Sequence, residues 1–336
     1  MRSAQPAGAA AQDGEFARAT EPFRRELLAH CYRMLGSVDE AEDLLQETYL
    51  RAWRAYGGFE GRSSLRVWLY RIATNACLTA LQHRASRVLP SALEGPGEDP
   101  DAEGHMAGSE VRWLEPIPDA LVTPESENPS AIAGARASLR LALIASLQHL
   151  PGRQRAVLIL RDVLDVPAAE VAQMLDTSTA AVKSALQRAR ARLEQVAPAA
   201  EELSEPSEPE ARAVLDEYIA AFEAGDLVAL ERVLRHDATL EMTPSPTWFA
   251  GKRDCLRFIG RFLGSRGLYR MLPTTANGQP AAAAYRRGED GAYHAFALVV
   301  LTTTATKITR ITLFGDPNLF ETFGFPSTPP APAASH

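Results

Sequence analysis

The sequence predicts a multidomain chain, with two all-α domains followed by an α+β domain. Three observations carry this. Thr20–Val88 and Ala135–Val196 place apolar residues at helical spacing. Pro90–Pro129 and Pro198–Pro209 are rich in Pro and Glu and separate the helical stretches from each other and from the C-terminal part. After Glu210, amphipathic helices give way to β-branched and aromatic runs. A length of 336 residues suits two or three domains.

The expected boundaries are a helical domain over 18–88, a flexible linker over 89–135, a second helical domain over 136–196 and a short linker over 197–209. An α+β domain over 210–326 and a disordered tail over 327–336 complete the chain. Helix breaks are expected at Gly36–Ser37 and Tyr56–Ser64. In the last domain, helices are expected near Glu210–Ala224, Asp226–Arg235 and Lys252–Leu263. Strands are expected at Tyr269–Thr275, Pro280–Arg287, Ala292–Thr303 and Thr306–Phe314. No run of eighteen apolar residues occurs, and Met1–Gly14 lacks the basic start and apolar run of a secretory leader. A cytoplasmic location with no membrane partner is therefore expected. Cys31, Cys77 and Cys255 show no metal-binding spacing and read as free buried thiols.

Net charge is −7, yet its distribution is uneven. Between Glu60 and Glu94 there is no acidic residue, while Arg62, Arg66, Arg71, Arg84 and Arg87 fall there. From Arg136 to Val196 nine Lys/Arg face five Asp/Glu. Basic segments joined by acidic ones suit a chain that touches DNA at two places and a protein elsewhere.

Pro167–Leu193 reads as a helix-turn-helix. Val171, Ala172 and Leu175 give one apolar stripe; Val182, Ala185, Leu186, Ala189 and Leu193 give the next. Ser178 is placed to cap the second helix. The opposite face carries the candidate DNA-binding residues Ser178, Thr179, Lys183, Ser184, Gln187, Arg188 and Arg190. N-terminal polar residues on a recognition helix meet base edges, and flanking cations meet phosphates. An ordinary hairpin with a solvated basic face is the alternative reading of this segment taken alone.

The run Leu150-Pro151, Arg153-Gln154-Arg155-Ala156-Val157 and Val182–Arg190 resembles region 4 of the sigma-70 family, in its extracytoplasmic-function branch. The resemblance implies a reader of the −35 promoter element that also contacts the β flap of core RNA polymerase. Asp176 replaces the usual turn Gly and tolerates a left-handed backbone. Ala181 replaces a usual Thr, so the base preference of relatives does not transfer.

Asp39–Trp53 resembles region 2.2, which binds the β′ clamp helices of polymerase. The resemblance implies polymerase contacts by Asp39, Glu42, Asp43, Leu45, Gln46, Glu47 and Tyr49, the acidic ones pairing with basic partners. Phe59–Asn75 resembles regions 2.3 and 2.4, which open and read the −10 element. The candidates are Phe59, Arg62, Ser63, Arg66, Trp68, Arg71 and Asn75. Aromatic stacking holds unpaired bases at ~1–3 kcal/mol each, the arginines meet phosphates, and Asn75 suits a base edge. Leu69 and Ile72 read as core. The two promoter elements lie roughly 70 Å apart, at ~34 Å per DNA turn. About 45 linker residues, at up to ~3.3 Å each, span that distance.

Ala224-Gly225-Asp226 after the first C-terminal helix, with strands beyond it, resembles the SnoaL-like branch of the nuclear transport factor 2 superfamily. A cone with an internal pocket is implied, modulating the sigma domains in cis. The polar candidates Asp226, His236, Asp237, Tyr269 and His294 form no acid–base pair in the sequence, so no catalytic residue, cofactor or metal is expected. Trp248, Phe249 and Tyr285 read as pocket lining or core. Two apolar motifs, Trp113–Asp119 and Asp316–Pro326, are expected to pack near each other or on the sigma domains. An anti-sigma factor and a small-molecule ligand of the last domain are further candidate partners. The alternative readings are a SnoaL-like enzyme, or a ligand-sensing regulator, fused to DNA-binding helices.

Overall fold

The computed structural model describes residues 7–82, 84–102, 107–124, 128–196 and 206–330. They form two compact units. The first comprises the chain to Arg87 together with 120–198; the second comprises 88–119 together with the C-terminal part.

The first unit is helical. It contains α1 (Ala7–Thr20), α2 (Arg24–Leu35), α3 (Val38–Tyr56), α4 (Leu65–Leu81) and the turn α5 (Asp119–Val122) that leads into it. It continues with α6 (Pro129–Ala137), α7 (Leu141–Gln148), α8 (Gly152–Leu158), α9 (Ala168–Met174) and α10 (Thr179–Val196). The break between α2 and α3 has a local cause. Gly36 takes φ 73 and closes α2, and Ser37 Oγ accepts from Glu40 N to open α3. Ser64 caps α4 in the same way through Val67 N. The first helix begins at Ala7, ahead of the expected start at 18, and lays buried Phe16 edge-on against Tyr49 and Tyr56. Helix α4 stops at Leu81 rather than running to Val88, which instead pairs with Trp113.

The core joins α2, α3 and α4 through Leu27, Met34, Leu45 and Leu69. Cys31 and Cys77, distant in sequence, meet there. Their mutual hydrogen bond, with burial, pushes the Cys77 thiol well above its usual range. His30 is buried beside them, 2.9 Å from Thr74 Oγ1 and edge-on to Tyr70.

The second unit is built on a six-stranded sheet. Its strands are β1 (Leu234–Thr243), β2 (Trp248–Ala250), β3 (Tyr269–Ala276), β4 (Gln279–Arg287), β5 (Tyr293–Thr303) and β6 (Ile308–Phe314), in spatial order β2-β1-β6-β5-β4-β3. Of the pairings, β1–β6 is parallel and the others are antiparallel. Bulges in the β1–β6, β4–β5 and β5–β6 pairings bend it. Helices α11 (Glu208–Ala224), α12 (Leu227–Val233) and α13 (Lys252–Leu263) supply one side of the core. The short helix α14 (Leu319–Thr322) comes after the last strand. The four expected strands are present. Strands β1 and β2 go beyond the expectation, because Arg235-His236-Asp237 and the buried Glu241 break the apolar alternation of β1.

The expected flexible linker is the main correction. Its described residues 88–119 are laid across the sheet of this unit. At one edge, Gly97 N donates to Trp248 O, Trp248 Nε1 to Glu94 O, and Ser91 N to the buried Glu241 carboxylate, which pairs with Arg310. Arg261 donates to Pro100 O and Ala102 O. At the other edge lies the turn Asn277-Gly278, with φ 56 and 66, the conformation a two-residue hairpin requires. Asn277 Oδ1 accepts from Ile117 N, Asn277 N donates to Ile117 O, and Gly278 N donates to Asp119 Oδ1. Leu114 and Ile117 are fully buried. The segment is Pro- and Gly-rich because it tracks another surface, and its apolar residues fix it there. Leu319 and Phe320 of the second apolar motif are buried in the same unit, with Phe320 edge-on to Tyr285. Residues 1–6, most of the short linker (197–205) and the end of the tail (331–336) lie outside the described residues.

Burial, then the nearby Arg33, lower the His30 pKa from 6.5 to about 3. Below 6.5 the unfolded chain takes up a proton that the folded one refuses, so stability is complete above 6.5 and falls toward pH 3. Between pH ~7.5 and ~5.5, wild type is expected to lose about 1.4 kcal/mol more than His30→Asn, as read by urea unfolding at each pH.

Candidate polymerase and nucleic-acid interfaces

Helix α3 presents the expected polymerase residues unequally. Asp39, Asp43 and Gln46 are exposed. Glu42 is half-buried and paired with Arg24 at 3.1 Å, and Glu47 is held by Arg51 at 2.7 Å. Tyr49 is half-buried, donates to Thr20 O and has its pKa pushed up to about 12, chiefly by burial. Leu45 is fully buried. This corrects its expected role: the side chain belongs to the core and cannot reach a partner. Sequence reasoning missed Leu50 and Trp53, which are 49% and 47% exposed. They extend Asp39, Asp43 and Gln46 along one stripe at spacings of four and three residues. That continued spacing is the signal that could have found them.

The expected −10 residues surround the loop into α4. The Phe59 and Trp68 rings lie 4.9 Å apart, both half-buried. Arg62, Ser63 and Arg71 are exposed, with Arg62 paired locally to Glu60 at 2.6 Å. Arg66 is committed inside the unit. It grips the Glu26 carboxylate through Nε and Nη2 at 2.8–2.9 Å and lies over the Tyr70 ring. Asn75 is exposed, yet its Nδ2 donates to Met174 O at the end of α9 at 3.4 Å.

The expected −35 residues are brought together. Ser178 Oγ accepts from Ala181 N and caps α10, and Asp176 takes φ 47 in the turn before it. Ser178, Thr179, Lys183, Ser184, Gln187, Arg188 and Arg190 line this one helix and its cap. Val182 and Ala189 are buried beneath them. Arg188 donates to Ser184 Oγ, and Arg190 pairs with Asp162 at 2.7 and 2.9 Å.

The two halves of this unit are pinned to each other. Arg155 of α8 is fully buried; it donates to Met34 O of α2, to Gln148 Oε1 and O, and to Leu150 O. Burial lowers its pKa from 12.5 to about 10. Arg33 of α2 reaches Ser138 O and Oγ at 3.2 and 2.6 Å.

In the sheet unit the five polar candidates are dispersed. Asp226 caps α12, Asp237 is held by Arg235 at 2.6 Å, and His294 sits 2.8 Å from Asp290. Tyr269 donates to Phe262 O, and His236 lines a groove with Lys252 and Lys307. Phe249 is core, Trp248 holds the linker, and the Tyr285 hydroxyl donates to Pro326 O. Among the described residues no His/Cys/Asp/Glu cluster could hold a metal, and no single helix is long and apolar enough to cross a membrane.

An acidic helix, an aromatic basic loop and a capped helix-turn-helix define a promoter-recognition factor of RNA polymerase. Comparison with known proteins agrees. Residues 20–87 match the model for Sigma-70 region 2, and 140–193 match that for Sigma-70 region 4. The chain is 51% identical over 318 residues to the ECF RNA polymerase sigma factor SigG of Mycobacterium tuberculosis, covering 94% of this chain and 85% of that protein. It is 30% identical to SigJ of the same organism over 65% of this chain and 62% of that protein. The crystal structure of M. tuberculosis SigJ shares the fold, with a TM-score of 0.58 at 23% identity over 94% of this chain and all of that one. The chain belongs to the ECF RNA polymerase sigma factors. It binds core RNA polymerase and directs promoter recognition.

Replacing Arg155 by Met leaves three backbone carbonyls without a buried donor. The variant is expected to lose about 3 kcal/mol or more, measured by urea unfolding against wild type.

Proposed function

We propose that the stripe Asp39, Asp43, Gln46, Leu50 and Trp53 is the surface that meets polymerase. Exposed apolar side chains beside acidic ones suit a partner helix with basic and apolar faces. The −10 reader is then the loop and helix bearing Phe59, Arg62, Ser63, Trp68, Arg71 and Asn75. The −35 reader is the polar face of α10. Arg66 positions α4 through Glu26 rather than holding DNA. We read the sheet unit as non-catalytic, since Asp226, Asp237 and His294 each have a local partner, and place the protein in the cytoplasm, where polymerase acts.

The carrying observation for regulation is the docking of 88–119 across the sheet. This segment is the tether between the two promoter readers, which stand side by side in the first unit. Promoter elements roughly 70 Å apart demand that the readers separate. The sheet unit thus modulates the sigma domains in cis by holding the tether they need for extension.

Two measurements test this reading. Lys183→Ala is expected to weaken promoter binding by the holoenzyme and to reduce its salt slope by about one, read by titration at several salt concentrations. Asn277→Gly removes one anchor of Ile117 while keeping the positive-φ turn, and is expected to raise run-off transcription by a few-fold, or about 1 kcal/mol of released docking. Transcription unchanged both in that variant and in a chain ending before Pro206 would sink the cis reading.

A further inference from the structure

One charged groove of the sheet unit shares no residue with the contacts that hold the tether. It forms where the end of α12, the start of β1, the start of α13 and the residue before β6 meet, and its volume is about 590 Å³. Arg232, Arg235, His236, Lys252 and Lys307 line it. Among the described residues that line it, Glu231 is the one acid.

Most of the positive charge is uncommitted. Asp237 holds Arg235 at 2.6 Å, and Glu231 faces Lys252 only at 3.8 Å. Lys307 Nζ donates to Arg232 O, a neutral partner that leaves the ammonium charge in place. Among the described residues no carboxylate is paired with Arg232 or Lys307. Arg232 and His236 are exposed, and Lys252 is half-buried. Four fixed cations against two carboxylates leave the groove positive on a chain whose net charge is −7. A basic patch standing against the overall charge is the footprint of a polyanion. Lysine, which meets phosphate as a point charge, occurs in this chain only at Lys183, Lys252 and Lys307. Two of these line the groove, and Lys183 lies on the polar face of α10.

The lining and the covalent chain select the polyanion. The lining offers no ring except the His236 imidazole, so the base of a free nucleotide would find no stacking platform. What remains is recognition of phosphate charge alone, and duplex DNA presents one such charge per ~1.7 Å of its axis. Ser207, which caps α11, follows Val196, the last residue of α10, by eleven residues. That linker spans at most roughly 40 Å, and α11 adds about 25 Å. The groove therefore stays within roughly 75 Å of α10, a little over two turns of duplex at ~34 Å each. A helix seated on the −35 element thus holds the groove at high effective concentration near the flanking DNA.

We propose that this groove holds the phosphate backbone of duplex DNA beside the −35 element, a third DNA contact that reads charge and not sequence. The reach argument rests on α10 being the −35 reader.

The test uses the holoenzyme on a promoter duplex extended by about 25 base pairs, a little over two turns, beyond the −35 element. Acetylation by N-hydroxysuccinimidyl acetate, with and without DNA, is read at each of the three lysines by mass spectrometry. DNA is expected to slow labelling of Lys252 and Lys307 severalfold, as it slows that of Lys183. Arg232→Gln combined with Lys252→Gln is expected to reduce the salt slope of promoter binding by about two. Arg232→Lys keeps the charge and is expected to keep the wild-type slope. Glu231→Gln removes the opposing charge and is expected to tighten binding severalfold, a gain that a folding defect cannot produce. Lys252 and Lys307 labelled equally with and without DNA, or a slope unchanged in the double variant, overturns the proposal, and protection of Lys183 in the same sample leaves the −35 reading standing. Protection of Lys252 and Lys307 without protection of Lys183 supports the groove contact and overturns the −35 reading alone.

Discussion

A guanidinium buried without a carboxylate beside it has to be satisfied by backbone. Arg155 meets that demand with the carbonyls of Met34, Gln148 and Leu150. Each of these is a carbonyl at or near a helix end, where acceptors go unpaired. One side chain therefore ties the end of α2 to the end of α7 and to α8. Everything downstream inherits that placement. The end of α9 comes within reach of Asn75, and α10 keeps its polar face toward solvent. The cost of desolvating the cation, visible in its lowered pKa, is offset by donors that fit several acceptors at once.

The sheet unit applies the same logic to a tether. Period-two alternation gives β1 two faces within three residues: Leu240 and Met242 line an apolar cavity between the sheet and its helices, while Glu241 points the other way and accepts from Ser91. At the far edge an Asn-Gly turn lets Asn277 pair with Ile117 in both directions. A segment with little periodic structure of its own thereby acquires a fixed course. The packing of Leu114 and Ile117 supplies the apolar part of that attachment.

Local signals explain what was legible in the sequence. The Gly36-Ser37 break, the Ser178 cap and the last two strands, rich in β-branched residues, each depend on residues within a few positions of one another. The illegible parts depend on distant partners. Glu241 hides strand β1 because its burial is intelligible only with Arg310 and Ser91 in place. Leu45 looks like an interface residue in an acidic helix, and only the packing of α2 and α4 shows which side faces inward. Leu50 and Trp53 pass as ordinary apolar positions until their exposure is known. The site was thus readable where it is a helix face and unreadable where it depends on how the tether is held.

The course of the tether also sets an order of events during synthesis. Ile117 waits 160 residues for Asn277, which at ~5–20 residues per second is roughly 8–32 s. All the residues of the helical unit leave the ribosome before that wait ends. A nascent chain therefore passes through a period in which its helical unit is complete and the anchor of Ile117 is not yet made.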